Sequence, residues 1–285
     1  MRVRTLAAVV VTAVLLTAAS IPTGAAEEEQ SPEKPVWDFG LGVGAISFAD
    51  YRGADTTHVY VLPLPYLYYH GKFLKADRNG IRGKLFGQSW LELNISANAT
   101  TPVRRNAARA GMPDLRSTIE IGPSLDMHLW KSADEKLRFD VRLPLRGVFT
   151  LQAPPHFAGA VFAPYASVDV KDIAGFQGWY LGALAGPLFG DHRYHDYFYT
   201  VAPQFATPER PAYEAHAGYS GAEILVSLSK RYPSFWMGAY VRHDTLTGAV
   251  FDSSPLVKRE SYLAAGAGVA WIIHQSQQQV DETDD

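Results

Sequence analysis

The chain has 285 residues and no cysteine. That absence excludes disulfide frameworks, thiolate metal sites, thiol nucleophiles and a lipid anchor attached through cysteine. Charged residues are scarce at 19%. The 26 basic and 29 acidic side chains leave no basic excess of the kind that marks a nucleic-acid binder. Beyond residue 26 no apolar run reaches about 18 residues, so helical membrane spans are not expected. The G-x-S-x-G and H-E-x-x-H spacings are missing too, which removes two common hydrolase signatures.

What is present begins with a leader. Arg2 and Arg4 precede an apolar stretch at 6–19, and small residues at 23–26 suit cleavage before Glu27. Residues 1–26 therefore read as a secretory signal peptide. Without Arg2 and Arg4, 24 basic residues face 29 acidic ones, a net charge of −5. An acidic, polar lead-in at 27–36 follows, read as flexible and periplasmic.

From residue 37 the dominant signal is a period of two. In the stretch KLRFDVRLPLRGVF, Arg138, Asp140, Arg142 and Arg146 share one face of an extended segment. Leu137, Phe139, Val141, Leu143, Leu145 and Phe149 share the other. Fourteen residues is long for a soluble strand, for which about five or six is usual. Length and contrast together suit a strand with lipid outside and a wet lumen inside. Residues 37–45, 89–99 and 117–130 alternate in the same way, and 58–70 is aromatic-rich with Pro63 and Pro65, where a bend is expected. Segments 158–170, 178–190, 219–230, 235–246 and 258–273 also read as strands. In the last, Leu263, Ala265, Ala267, Val269, Trp271 and Ile273 oppose Tyr262, Ala264, Gly266, Gly268 and Ala270.

The links between strands alternate short and long, as in bacterial barrels with tight periplasmic turns and longer outer loops. Short links fall at 70–72, 87–88, 131–135, 171–177 and 231–234. Long ones fall at 49–57, 100–116, 151–157, 191–218 and 248–257. Two short strands at 73–77 and 81–86 around Asn79-Gly80 bring the count to about 12; without them it is ten. The expected fold is all-β, a transmembrane antiparallel up-and-down barrel over 37–273, with both termini periplasmic and a polar tail at 274–285. Such a barrel is wide enough for a narrow channel and narrow enough to be plugged. Its lumen would be lined by Glu92, Glu120, Asp126, Arg138, Asp140, Arg142, Arg146 and Arg242, whose mixed signs favour internal ion pairs over a selective pore.

Three stretches carry a resemblance. They are YRGAD at 51–55 with VLPLPYLYYHGKF at 61–73, then HDYFYTV at 195–201 with ERPAYEAHAGYSG at 209–221, then GAYVRHDTLTGAVFDSSPLV at 238–257. In this order and spacing the chain resembles the MipA/OmpV family, named after MltA-interacting protein. The resemblance implies the outer membrane of a Gram-negative bacterium. It also implies a scaffold joining a lytic transglycosylase to a penicillin-binding protein in murein synthesis, with no catalytic residues and no cofactor. Other family members are described as adhesins or small porins. Members usually end on an aromatic residue soon after the last strand. Here a polar tail follows Ile273, leaving Trp271 as an internal assembly signal.

The loops supply the remaining candidates. GDHRYHDYFY at 190–199 gathers Asp191, His192, His195 and Asp196 among aromatics, a set that suits either a metal or an acid–base pair, or else a rim at the membrane interface. Asp191, Tyr194, Arg210, Tyr213, Asp252 and Ser253 are candidates to fold inward and constrict the lumen. Arg104, Arg105, Arg109 and Arg116 form a basic outer loop that suits lipopolysaccharide phosphates or plain solvation. Taken together these readings describe a non-enzymatic, monomeric barrel: a murein scaffold first, a narrow channel for small polar solutes or a surface adhesin as alternatives.

Overall fold

Alternating residues become long strands here because each strand has water on one side and something apolar on the other. The computed structural model describes residues 33–35, 37–70, 74–77, 80–83, 86–88, 90–276 and 279–281, with side chains described for 37–67 and 90–276. The expected signal segment lies outside the described residues. The strands are β1 (Glu33–Pro35), β2 (Trp37–Ala49), β3 (Thr57–His70), β4 (Leu74–Asp77), β5 (Gly80–Gly83), β6 (Phe86–Gln88), β7 (Leu91–Ala99), β8 (Thr118–Lys131), β9 (Leu137–Thr150), β10 (Phe157–Phe162), β11 (Tyr165–Lys171), β12 (Trp179–Gly190), β13 (Gly218–Arg231), β14 (Phe235–Thr245), β15 (Ser261–Gln275) and β16 (Gln279–Asp281). Among the described residues one α-helix, α1 (His192–Tyr199), lies in the longest loop. No described helix is long and apolar enough to cross a membrane.

Fourteen segments form one antiparallel sheet, in the order β5-β4-β3-β2-β15-β14-β13-β12-β10-β9-β8-β7-β6, with β11 between β9 and β12. β5 pairs with β4 and β6 with β7, and only residues 84–85 separate β5 from β6. The two ends of the path therefore meet, and the sheet curls into a barrel. β10 and β11 are two halves of one pass, broken at Ala163-Pro164. Pro164 has no N–H to give, and Gly186 lies so close that a Cβ on it would stand 2.0 Å from the Pro164 carbonyl oxygen. Counting β10 and β11 once, ten long strands and the short segments β4, β5 and β6 make up the described wall.

The wall is inside out relative to a soluble protein. On β2 Phe39, Leu41 and Val43 face outward, half exposed, while Asp38 is buried. On β15 Leu263, Trp271 and Ile273 are exposed, while Tyr262, Ala264 and Ala270 are buried. In KLRFDVRLPLRGVF, Asp140, Arg142 and Pro144 point in and Leu145 points out. Along most of its path the sheet pairs its backbone groups strand to strand, the condition for standing in hydrocarbon; the exceptions among the described residues are the loop-side edges of β3 and β7, which meet only the short β4 and β6.

Three details depart from the sequence reading. β3 runs through Pro63 and Pro65 without a break, paired to β2 from Ala49↔Thr57 to Trp37↔Tyr69, whereas β4 meets it only at Tyr69 and His70. The prolines are two residues apart, so their missing N–H groups face the same side, and the open edge is the side with least to lose. The last strand begins at Ser261 rather than 258, because the Lys258 and Arg259 N–H groups turn to the Gly53 carbonyl in the neighbouring loop. The lead-in, read as flexible, is tied to the polar tail: β1 pairs with β16 from Glu33↔Asp281 to Pro35↔Gln279.

Candidate functional site: the lumen and its loop plug

Short turns and the flanking strands β1 and β16 lie at one end of the barrel. The long loops lie at the other, and they fold into it. Residues from loops 50–56, 100–117, 191–217 and 246–260 build one apolar core. Phe251 and Leu246 are fully buried there, with Tyr51, Val103, Leu115, Phe198, Tyr199 and Ala215 around them. The rings of Tyr199 and Phe251 stack at 3.6 Å and 9°. α1 anchors this core to the wall. Its N-cap is Asp191, whose side chain accepts from Tyr194 N–H at 2.8 Å. Gly159 on β10, at φ +118°, makes room for it; a Cβ there would stand 2.3 Å from Asp191 Oδ1.

Polar staples hold the loops to one another. Arg210 donates to the carbonyls of Ala108, Ala110 and Phe205 at 2.7–3.0 Å. Arg109 donates to the Phe198 carbonyl at 2.9 Å. Ser254 Oγ donates to the Tyr199 carbonyl at 2.7 Å, and the Tyr51 hydroxyl to the Leu256 carbonyl at 2.8 Å. Arg52 bolts the plug to the wall: its Nε donates to Asp244 Oδ1 at 3.1 Å and its Nη1 to the Ser220 carbonyl at 2.7 Å.

His195 is fully buried in this core. Its Nδ1 faces the His216 carbonyl, which only accepts, so Nδ1 carries the proton and Nε2 accepts from Ser220 Oγ at 2.6 Å. Burial pushes its pKa below the ordinary histidine value, so the ring is neutral. Burial likewise raises the Tyr194 and Tyr199 hydroxyls.

Below the plug the inward residues pair by sign. Glu120 accepts from Arg146 Nε at 3.0 Å and from Asn98 at 3.2 Å. Asp126 accepts from Ser124 at 2.6 Å and Asn94 at 2.8 Å, with Arg142 Nε at 3.6 Å. Asp140 holds both His128, at 2.9 Å, and Arg138, at 2.8 Å, and Glu92 stands 3.9 Å from His128. Arg242 Nε donates to Asp244 at 2.8 Å. All eight lumen candidates thus face inward; seven stand beside a partner of opposite sign, and Glu92 stands beside the His128 ring.

The loop candidates divide. Arg210 is buried as a staple, Asp191 caps α1, and Tyr194 reaches the space beneath the plug. Tyr213 is half-buried and donates to the Val250 carbonyl at 3.3 Å. Asp252 and Ser253 do not constrict anything: both are exposed, and the inward side chains of that loop are Phe251, Ser254 and Leu256. The turn around 252–253 directs its polar members to solvent and its apolar neighbours to the core. Asp191, His192, His195 and Asp196 do not converge, since His195 is buried while His192 and Asp196 are exposed. No group of three or more potential metal ligands forms among the described residues. Arg109 is withdrawn from the basic loop, whereas Arg104, Arg105 and Arg116 stay exposed.

Sequence reasoning missed Asp38, paired with Arg231 at 2.6 Å, and also Glu223, Asp244 and Arg52. Parity would have found two of them. Asp244 is two residues from Arg242, and Glu223 shares the inward phase of Ser227 and Ser229 on β13.

The family described as MltA-interacting protein MipA matches this sequence over residues 41–273, from early β2 to near the end of β15. Outer membrane protein Omp26La of Vibrio anguillarum is 24% identical over 212 residues, covering 71% of this chain and 75% of that one. Outer membrane protein OmpV of Vibrio cholerae serotype O1 is 23% identical over the same shares. Among solved structures, an outer membrane channel of Pseudomonas putida F1 is similar at a TM-score of 0.42 and 11% identity, covering 87% of this chain and 100% of that one. The exposed apolar band therefore faces the lipid of the outer membrane. A barrel wall matched almost from end to end leaves one assignment: the chain belongs to the MipA family of outer-membrane proteins.

Proposed function

We propose that the protein is a non-enzymatic docking platform for murein-remodelling enzymes, with an MltA-type lytic transglycosylase as first partner and a penicillin-binding protein as second. The observation that carries this reading is the plug. A folded apolar core fills the loop end, so packed side chains stand where an open pore would have its mouth. The turn end, where β1 and β16 lie, is then the face free to act in the periplasm. The family's description as MltA-interacting supports the choice of partner. The buried Ser220–His195 bond supports a non-catalytic role, because substrate has no access to it and a carbonyl stands where a carboxylate would orient the ring. At the outer rim, Arg104, Arg105 and Arg116 are the side chains offered to lipopolysaccharide phosphates.

A second reading, a narrow channel, is favoured by one observation: Arg242 and Glu223 remain partly exposed inside the lumen. Affinity purification of the tagged chain from cross-linked envelopes tests the two. Recovery of a transglycosylase with no conductance in planar bilayers is the expected result. Reproducible single-channel steps without any murein enzyme would overturn the platform in favour of the channel.

A further inference from the structure

Beneath the plug the lumen holds a cavity of about 160 Å³. Its lining is drawn from opposite sides of the wall, including Glu120 of β8, Arg146 of β9, Glu223 of β13, Tyr240 and Arg242 of β14 and Tyr262 of β15. A cavity of about 150 Å³ takes a ring the size of benzene, and this one is only partly enclosed, which leaves room for ring substituents. Four arginines and four carboxylates line it, so no net field favours an ion of either sign.

Two of these groups have bonding capacity to spare. Arg242 gives its Nε to Asp244 and reaches Glu223 only at 4.0 Å. Both Arg242 and Glu223 are open to the luminal space, at 31% and 24% exposure. The Tyr240 ring lies over Gly266, where a Cβ would stand 2.5 Å from its Cε1. The absence of a side chain at 266 lets the ring settle against the wall while it lines the cavity.

We propose that this cavity is a binding site for a neutral, polyhydroxylated ring of monosaccharide size. Each hydroxyl of such a ring both donates and accepts, and the loosely paired Arg242 and Glu223 present a donor and an acceptor side by side. The Tyr240 ring takes the apolar C–H face. A charged ligand would instead compete with one member of each ion pair and strand the other. The site is independent of the docking reading, since it lies in the lumen and needs no periplasmic partner.

The test uses the full mature chain in detergent micelles, with glucose and myo-inositol as neutral probes and glycine betaine as a zwitterion of similar bulk. Saturation-transfer NMR reports contact and calorimetry reports affinity. We expect saturable binding of at least one neutral probe, weakened about tenfold or more in Glu223→Gln, which removes a charge-assisted bond. Tyr240→Phe should bind nearly as well as the native chain and Tyr240→Ala poorly, because the ring's face is what is used. Ile224→Leu, on the lipid side of the same strand, should be without effect. Heat-modifiable migration on gels confirms that each variant keeps its barrel. Three results overturn the proposal: no neutral probe binds, binding survives Glu223→Gln and Tyr240→Ala unchanged, or only glycine betaine binds.

Discussion

The plug and the wall bury opposite things. In the plug Phe251, Leu246 and Leu256 are fully buried, while Asp252, Ser253 and Arg104 face solvent, as in a small soluble protein. In the wall Asp126, Asp140 and Asp244 are buried, while Val61, Ile224 and Leu263 are among the most exposed residues. The plug is held by apolar packing and a few staples, and it needs no lipid. The wall is held by strand pairing around an ionic interior, and its outer face needs lipid to be favourable. The two parts should therefore fail separately, under different insults.

The largest separations come from deleting one buried group in each part. Glu120→Ala leaves Arg146 buried without its carboxylate, and the expected loss is about 3–5 kcal/mol. It should appear in urea unfolding of the whole barrel in liposomes. Phe251→Ala removes the ring stacked on Tyr199 at a cost of about 3–5 kcal/mol. That loss should be confined to the loops: faster proteolysis within 191–217 and 246–260, with the heat-modifiable band unchanged. If Phe251→Ala unfolds the barrel as readily as Glu120→Ala does, the plug and wall are one cooperative unit and the contrast fails.

Next in size is a charge on the lipid face. Val226→Arg, outward on β13, should cost about 2–4 kcal/mol on insertion into bilayers if it sits near the midplane. The plug, once formed, should be untouched. A smaller effect is expected from acid. His195 has a depressed pKa, so the native state gives up its proton more readily than the unfolded chain, whose value is about 6.5. The stabilisation is complete above that value and is lost as pH falls from it toward the folded one. Asp191, Arg52 and His192 are the charged or titratable groups that act on the ring. Loop proteolysis should accelerate below about pH 6 in the native chain and stay flat in His195→Gln. The least effect is expected at the turn end. Lys136 and Asp172 pair at 3.0 Å, but Lys136 is largely exposed, and Lys136→Ala should leave unfolding unchanged within error.

The same contrast explains what could be read from the chain without coordinates. The wall was legible because lipid on one side and water on the other impose a period of two. That rule placed Asp140, Arg142 and Arg146 inside and Leu145 outside before any contact was known. Even the short strands around Asn79-Gly80 follow from a local turn signal. The plug was not legible in this way. Its core joins Tyr51, Val103, Tyr199 and Phe251 from four loops, and no local pattern links positions so far apart. Irregular backbone also hides direction, so nothing in the sequence separates the outward Asp252 and Ser253 from the inward Phe251 and Ser254. Arg210, expected as a constriction, instead joins loops to one another through three carbonyls. Glu223 was overlooked because the run EILVSLS is apolar on most positions and only the exposure of Ile224, Val226 and Leu228 reveals which face is outward.

The short hairpin of β4 and β5 gives the cylinder a place to grow. β3 is bonded to β2 along its whole length and to β4 at only two residues, so a tall stretch of its second edge has no ladder among the described residues. Residues added in alternating pattern between Asp77 and Gly80 would climb that edge and meet ready hydrogen-bond acceptors there. Elsewhere in the wall an insertion has to bulge, but at this tip extra length becomes extra wall. Engineers seeking to splice a reporter segment into this barrel would find their most forgiving address at that turn.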